Sequence, residues 1–600
     1  MIWFKKDNLI FLFFITFSIL LFYSLQISSE HITQWLFTDH IKFLDVVTGG
    51  RQLRPLEYYL GEAENDLWGP LKSLLSGGIF FTLALRYLRF ATPWQFGLAC
   101  FIYILASRPE VLFNPPYAEA INGPFTDAVW LLQNNLNWFS LLKQENSFAG
   151  GPQTYPLSIF PLILAVLIKI APSMGFFIVL FHLLVFMMAA AVVSLLRKIC
   201  LRFFSETISL CAAILLLSLP LFQSMMELIN MEMSYLFCTM LSAHFLMKKR
   251  FAPASILAIL SMLIKIPGII ACMTIVFLGI VLFFLERQNK GRWKILAWAG
   301  IVSLVAAGEV IGRNIINNRV APYTKVYFGA GWENVVHLPT FWIYLASLVI
   351  LIVQIIQQQR REGTLRFSSL IQQYWDICIM FLLAGLWFWV HFNFEDLAAR
   401  YMLLLTPFFI FCFIYLIYHL IPAKHSILPI LGIMIIGSLM CSHGLIYGDR
   451  LTDPTNMERS LEYRNYLHLQ KMIVQEMKEN YSDYTIGAPI IIAQILGIPE
   501  MGHVKEPLKD VMIYGFDANL KGYRTYPGIE KLNVLRTVYI GFEKDRVIEE
   551  VPYPVDPNDI IKKKLIRGNL EAIVFMGGFG IEKMRRLAII YHQQQLKNNH

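Results

Sequence analysis

The chain has 600 residues and a net charge of +9, with 56% hydrophobic and only 16% charged residues. Soluble domains carry about a quarter charged residues, so this composition and a mean hydropathy of +0.53 exclude a soluble enzyme held by a single anchor. The positive balance would suit a nucleic-acid partner if it formed one patch, but its placement excludes that reading. Its basic residues stand in short clusters between apolar runs (Lys5-Lys6, 86–89, 197–202, 248–250, 287–294 and 360–366), the pattern by which a multi-spanning protein marks its cytoplasmic loops.

A helix needs about 20 residues to cross the hydrocarbon core, and only helices or closed barrels satisfy their backbone there. In chain order, the apolar runs predict spans at 8–27, 69–86, 92–107, 174–196, 207–223, 233–248, 251–265, 267–286, 294–311, 339–357, 375–391, 402–420 and 427–444. The first follows Lys5-Lys6 with no small-residue cleavage site after it, so it reads as an uncleaved helix. The stretch 156–172, between Pro156 and Pro172, predicts a short helix at the interface. With a cytoplasmic N-terminus, every basic cluster falls inside, and the loops 28–68, 108–156 and 312–338 fall outside together with the tail after 445.

The tail is polar and rich in turns. It predicts an amphipathic helix over Leu461–Met477 and strands over Ile486–Ile492 (interrupted by Pro489), Val534–Ile540 and Ala572–Met576. The expected fold class is therefore an all-α polytopic membrane bundle of 13 helices with a small extracytoplasmic α/β C-terminal domain. Residues 1–107 would form N-terminal helices with an outer loop, 108–445 a transmembrane core, and 446–600 the soluble domain. All eight cysteines lie in or beside apolar segments without CxxC spacing, which predicts neither a disulfide nor a zinc site.

Ionisable residues at membrane-helix ends are site candidates by default, and here they gather on the expected outer side. Asp127, in Asn122-Gly-Pro-Phe-Thr-Asp-Ala-Val-Trp130, could act as a general base toward an acceptor hydroxyl or, with Thr126, cap the helix that follows. Glu227 and Glu232 stand five apart after Leu219-Pro220, a spacing that on one helix turns only one of them into a site; the alternative is a solvated helix end. Lys265 precedes Pro267-Gly268, where a cation suits a lipid phosphate or simply snorkels beside a loop. Arg400-Tyr401 precedes Pro407; the guanidinium can hold phosphate oxygens in a bidentate way or pair with Glu395 or Asp396.

The order of these features along 110–420 resembles the GT-C superfamily of membrane glycosyltransferases, in particular the relatives of the protein mannosyltransferases and the lipid A aminoarabinose transferase. The best matches are Phe125–Ile163, Ile256–Ala271 and Ala398–Pro407. The resemblance implies a polyprenyl-phosphate sugar donor used on the outer face and inversion at the anomeric carbon; the expected location is a bacterial inner membrane. It implies Asp127 as catalytic base, Glu227 or Glu232 as the acid of the second outer loop, and Lys265, Arg400 and Tyr401 at the donor phosphate. The chain departs from the family in its N-terminal extension and in having a lone acid at Asp127. No metal or other cofactor is demanded, and the acceptor (lipid, glycan or protein) is open. The alternative function is a transporter or flippase of a lipid-linked glycan, which would place its charges near the midplane of two related halves; the chain has no internal repeat.

Overall fold

The computed structural model describes residues 6–39, 68–117, 120–138, 140, 158–285, 291–320, 329, 331–362, 367–393, 399–420, 463–508, 511–513, 516–517, 522–523, 537–542, 560–567 and 570–576. It is a bundle of apolar helices. The first part comprises α1 (Lys6–Asp39), α2 (Gly69–Leu83), α3 (Pro93–Ser107), α4 (Thr126–Gln133), α5 (Phe160–Ile170), α6 (Met174–Cys200), α7 (Glu206–Ser218) and α8 (Pro220–Glu227). The second part comprises α9 (Glu232–Met247), α10 (Phe251–Ile264), α11 (Ile269–Leu285), α12 (Arg292–Val320), α13 (Trp332–Val336), α14 (Pro339–Glu362), α15 (Phe367–Phe392) and α16 (Met402–Leu420).

Among the described residues, seven helices are long and apolar enough to cross a membrane, or up to eight if the bent pair α7–α8 counts as one span. Thirteen were expected. The difference has local causes. Pro220 has no N–H to continue α7 and bends the chain by 59°, as proline does in a helix interior. The expected spans at 92–107, 233–248 and 251–265 are α3, α9 and α10, of 15, 16 and 14 residues. The run expected at 8–27 lies within α1, which continues to Asp39. The span at 427–444 lies outside the described residues. The short helix expected between Pro156 and Pro172 is α5.

Small polar groups hold the shorter helices together. α9 and α10 pack as a hairpin, joined by Thr239 Oγ1 to Ser261 Oγ at 2.8 Å and by Ser242 Oγ donating to Ala254 O at 2.8 Å. Arg197, expected in a cytoplasmic loop, is buried. Its guanidinium donates to the carbonyls of Ala91 at 2.9 Å and Leu88 at 3.2 Å, and sits 4.7 Å from the Phe96 ring centre, satisfying carbonyls that a helix end leaves open.

The tail begins with α17 (Tyr463–Asn480), β1 (Thr485–Ala488) and α18 (Ile490–Gly497). Pro489 therefore ends a strand and starts a helix, where a single strand to Ile492 was expected. β2 (Val511–Ile513), β5 (Thr537–Phe542), β6 (Ile560–Arg567) and β7 (Leu570–Met576) complete a five-stranded sheet of order β2-β1-β5-β7-β6. A separate antiparallel pair joins β3 (Phe516–Asp517) to β4 (Gly522–Tyr523). β1 runs parallel to β2 and β5, while β7 is antiparallel to β5 and β6. β6 was missed because Lys562-Lys563-Lys564 breaks its apolar pattern; it is an edge strand with exposed lysines, a common guard against edge pairing. The tail touches the bundle directly. Gly502, at φ +78°, packs where a Cβ would meet Ile178 Cδ1 of α6 at 2.7 Å.

α10 ends because Lys265 turns extended (φ −150°, ψ 138°) before Pro267. The Pro-Gly turn then folds back so tightly that a Cβ on Gly268 would lie 2.4 Å from the backbone carbon of Ser261. Gly268→Ala should therefore lower stability by roughly 3 kcal/mol, the upper range for overpacking, and displace Lys265. Thermal unfolding of the detergent-solubilised protein measures it; an unchanged midpoint would mean that the turn relaxes freely.

Candidate functional site

The sequence places two acids five residues apart, and the structure separates them by a break. α8 stops at Glu227, the chain is extended at Leu228, and α9 starts at Glu232. Asn230 Oδ1 accepts from the Met231 N–H at 2.8 Å within the break. Because 227–232 is not one helix, both carboxylates turn inward, against the expectation of one. Their exposures are 1% and 0%, so neither is a solvated helix end.

Glu227 sits in a cage of donors. Arg108 Nε donates to Oε1 at 2.7 Å, and Arg464 Nη2 reaches both carboxylate oxygens at 2.8 Å. Arg464 Nε adds a bond of 3.0 Å to Oε2, which also accepts from the Tyr463 hydroxyl. Two guanidiniums and a phenol consume the acceptor capacity of this carboxylate, so it holds structure together. Arg464 and Tyr463 belong to α17, making the cage a bond between tail and bundle.

Glu232 is held differently. Lys265 pairs with its Oε1, and Arg400 Nε lies 3.8 Å from the same atom. Its Oε2 is buried with no hydrogen-bond partner among the described residues. Lys265 Nζ and the Arg400 guanidinium lie 5.0 and 5.4 Å from the Tyr401 ring centre, a cation–π arrangement. Trp387 Nε1 donates to Tyr401 O at 3.0 Å and fixes that corner. Lys265 is 4% exposed and ion-paired, so it does not snorkel; the alternative partners of Arg400, Glu395 and Asp396, lie outside the described residues. Two cations share one carboxylate oxygen here. Tyr235, one turn along α9 from Glu232, lies within electrostatic reach of all four residues, and its buried hydroxyl has no partner among the described residues.

Asp127 belongs to neither cluster. A single π-type turn, Ile121–Phe125 with Pro124 inside it, runs straight into α4. Thr126 Oγ1 donates back to Ile121 O at 2.7 Å, so neither residue caps the helix and that alternative is corrected. Asp127 is 4% exposed, and its Oδ2 has no hydrogen-bond partner among the described residues. Burial alone pushes its carboxyl up to about 7. α4 packs on α5, and just before α5 the Ser158 hydroxyl donates to Ile264 O at 2.7 Å and the Ile159 N–H to Leu263 O at 3.0 Å. The Asp127 helix is thereby tied to the backbone immediately preceding Lys265.

The structure thus brings together Glu232, Lys265, Arg400 and Tyr401, and sets Glu227 and Asp127 in separate surroundings. Sequence reasoning missed Arg108, Tyr235, Tyr463 and Arg464. Arg108 carried a signal, an arginine closing the apolar run before Pro109. Arg464 did not, because it lies on an ordinary amphipathic helix. Comparison with family models and with curated proteins finds no match.

Two measurements follow. Glu227→Gln and Arg464→Ala should each cost about 3 kcal/mol, the scale for breaking a buried pair, and the double variant should cost clearly less than their sum; additive losses in thermal unfolding would show that the two do not interact. The Asp127 carboxyl binds its proton more tightly in the folded state than at its ordinary value of 3.8. The folded state gains from that proton at low pH and loses the gain as pH rises, by up to about 4 kcal/mol between pH 4 and 7. Asp127→Asn should flatten that slope, and an unaltered pH profile would place the titration elsewhere.

Proposed function

We propose that the chain is an inverting membrane glycosyltransferase that moves a sugar from a polyprenyl-phosphate donor to an acceptor hydroxyl on the extracytoplasmic face of a bacterial inner membrane. The finer topology belongs to the same reading: 13 spans, a cytoplasmic N-terminus and the tail as an outer α/β domain. The observation that carries it is a buried acid with an open carboxylate oxygen among the described residues, together with two buried cations gathered on one carboxylate. Asp127 keeps a carboxylate oxygen with no hydrogen-bond partner among the described residues, and Lys265 and Arg400 meet at Glu232.

In the proposed reaction Asp127 takes the acceptor's hydroxyl proton as that oxygen attacks the anomeric carbon. The bond between that carbon and the phosphate oxygen breaks, and the electron pair leaves on the polyprenyl phosphate. Lys265 and Arg400 stabilise the charge growing there, an electrostatic contribution that needs no reorganisation because Glu232 and the Tyr401 ring hold both cations in place. Glu232 is then a positioning residue. Glu227, which the resemblance offers as a second catalytic acid, is fully engaged by Arg108, Arg464 and Tyr463 and has no part in the proposed step.

Transfer of label from a radiolabelled polyprenyl-phosphate sugar pool in membranes tests this reading. Asp127→Asn should lower transfer by about 10²-fold or more, the range for loss of a general base, and Arg400→Ala should lower it through the donor. Wild-type activity should rise with pH and level off above about 7, where Asp127 is ionised. Transfer at the wild-type rate by Asp127→Asn would remove it from the base role. Label that crosses the bilayer still attached to its lipid, with Asp127 dispensable, would support the flippase instead.

A further inference from the structure

Asp127 is not the only bare polar group where the tail meets the bundle. The indole nitrogen of Trp130 and the Oε1 of Gln494 are also buried with no hydrogen-bond partner among the described residues. Buried polar atoms without partners are rare and costly, and these three lie on two adjoining elements. Asp127 and Trp130 stand one turn apart on α4, a spacing that makes them surface neighbours. Gln494, on α18 of the tail, places its amide beside them: Nε2 donates to Thr126 Oγ1 at 3.3 Å.

The orientation of that amide follows from the proton count. Thr126 spends its hydroxyl proton on Ile121 O, so toward Gln494 it can only accept, and the Gln494 oxygen is left facing away. Thr126 and Trp130 are four residues apart on the same helix face. The indole donor and the amide acceptor therefore stand along one stretch of α4 without bonding each other. With Asp127 they present one donor and two acceptors. A phosphate, which brings acceptors and negative charge, meets a carboxylate here, and a cation finds an indole donor in its way. Neighbouring sugar hydroxyls, each both donor and acceptor, match the set.

We propose that Asp127, Trp130 and Gln494 form a subsite for a neutral saccharide, with the tail supplying one wall. The inference deepens the transferase reading and rests on it for one point, that the bound sugar is the acceptor. Trp130 and Gln494 orient its hydroxyls, and Asp127 meets the one that reacts.

The test uses the full-length protein in lipid nanodiscs, titrated with glucose, mannose and N-acetylglucosamine, following tryptophan fluorescence and thermal shift. Trp130→Phe and Gln494→Leu should each weaken binding of the preferred sugar tenfold or more. Trp130→Phe should leave the melting temperature nearly unchanged, because it removes a buried donor with no partner among the described residues, whereas Gln494→Leu also removes the Nε2 bond to Thr126 and should lower it modestly. Two variants on separate elements keep the test informative if one folds poorly. Transfer of label in membranes should fall through the acceptor KM rather than kcat. Sugar binding lost in both variants, with no label transferred even by wild type, would leave the subsite standing and overturn the transferase reading. Unchanged sugar binding, no sugar binding by wild type, or wild-type transfer by both variants would overturn the subsite.

Discussion

The constraint on which the rest of this molecule depends is the cost of taking charge out of water. An ion moved into a low-dielectric interior pays several kcal/mol even after relaxation, and this bundle buries Arg108, Asp127, Arg197, Glu227, Glu232, Lys265 and Arg400. Each is accommodated in its own way. Arg197 caps helix-end carbonyls, Glu227 is caged by two arginines, and Lys265 shares Glu232 with Arg400. Among the described residues Asp127 has no such partner, and burial drives it toward its neutral form. How completely each charge is met sorts structural residues from candidates for chemistry.

The three acids form a series. Glu227 has its acceptor sites filled, so a proton placed on it would sacrifice bonds to both guanidiniums. Glu232 is engaged through Oε1 by Lys265 and Arg400, and its Oε2 has no hydrogen-bond partner among the described residues. Asp127 keeps an unpartnered oxygen and a proton affinity close to neutrality, the range in which a carboxyl can exchange a proton during a reaction. The Glu227 cage also explains how the tail can contribute to the same region. By holding Arg464 and Tyr463 at the start of α17 it fixes the segment that leads, through β1, to α18 and Gln494.

Much of this was legible in the sequence. The apolar runs locate the helices, because a bundle in lipid must be apolar along its length, and the Leu219-Pro220 and Pro267-Gly268 breaks mark helix ends, because proline and glycine act locally. Lys265, Arg400 and Tyr401 were readable as a group for the same reason: charges are too expensive in apolar runs to be there by accident. What was not legible depends on pairing across long separations. Glu227 meets Arg464 from 237 positions away, and no local pattern announces that contact. The five-residue spacing misled because it assumed one helix, whereas the break at Leu228 frees the second acid to turn independently. Gln494 was hidden by Pro489, which made a helix start look like an interrupted strand.

The breaks and the charges are linked. A regular helix satisfies its own backbone but spaces its side chains rigidly, so charges from distant segments converge only where helices end. Lys265 follows α10 at the Pro-Gly turn, Arg400 precedes α16, Glu227 and Glu232 flank the gap between α8 and α9, and Asp127 follows the π-type turn that contains Pro124. Each interruption forfeits backbone hydrogen bonds, which is costly inside a bundle, and each sets an ionisable side chain free of helical spacing. The interruptions coincide with the buried charges, so the same breaks that shorten the helices bring ionisable side chains of distant segments together.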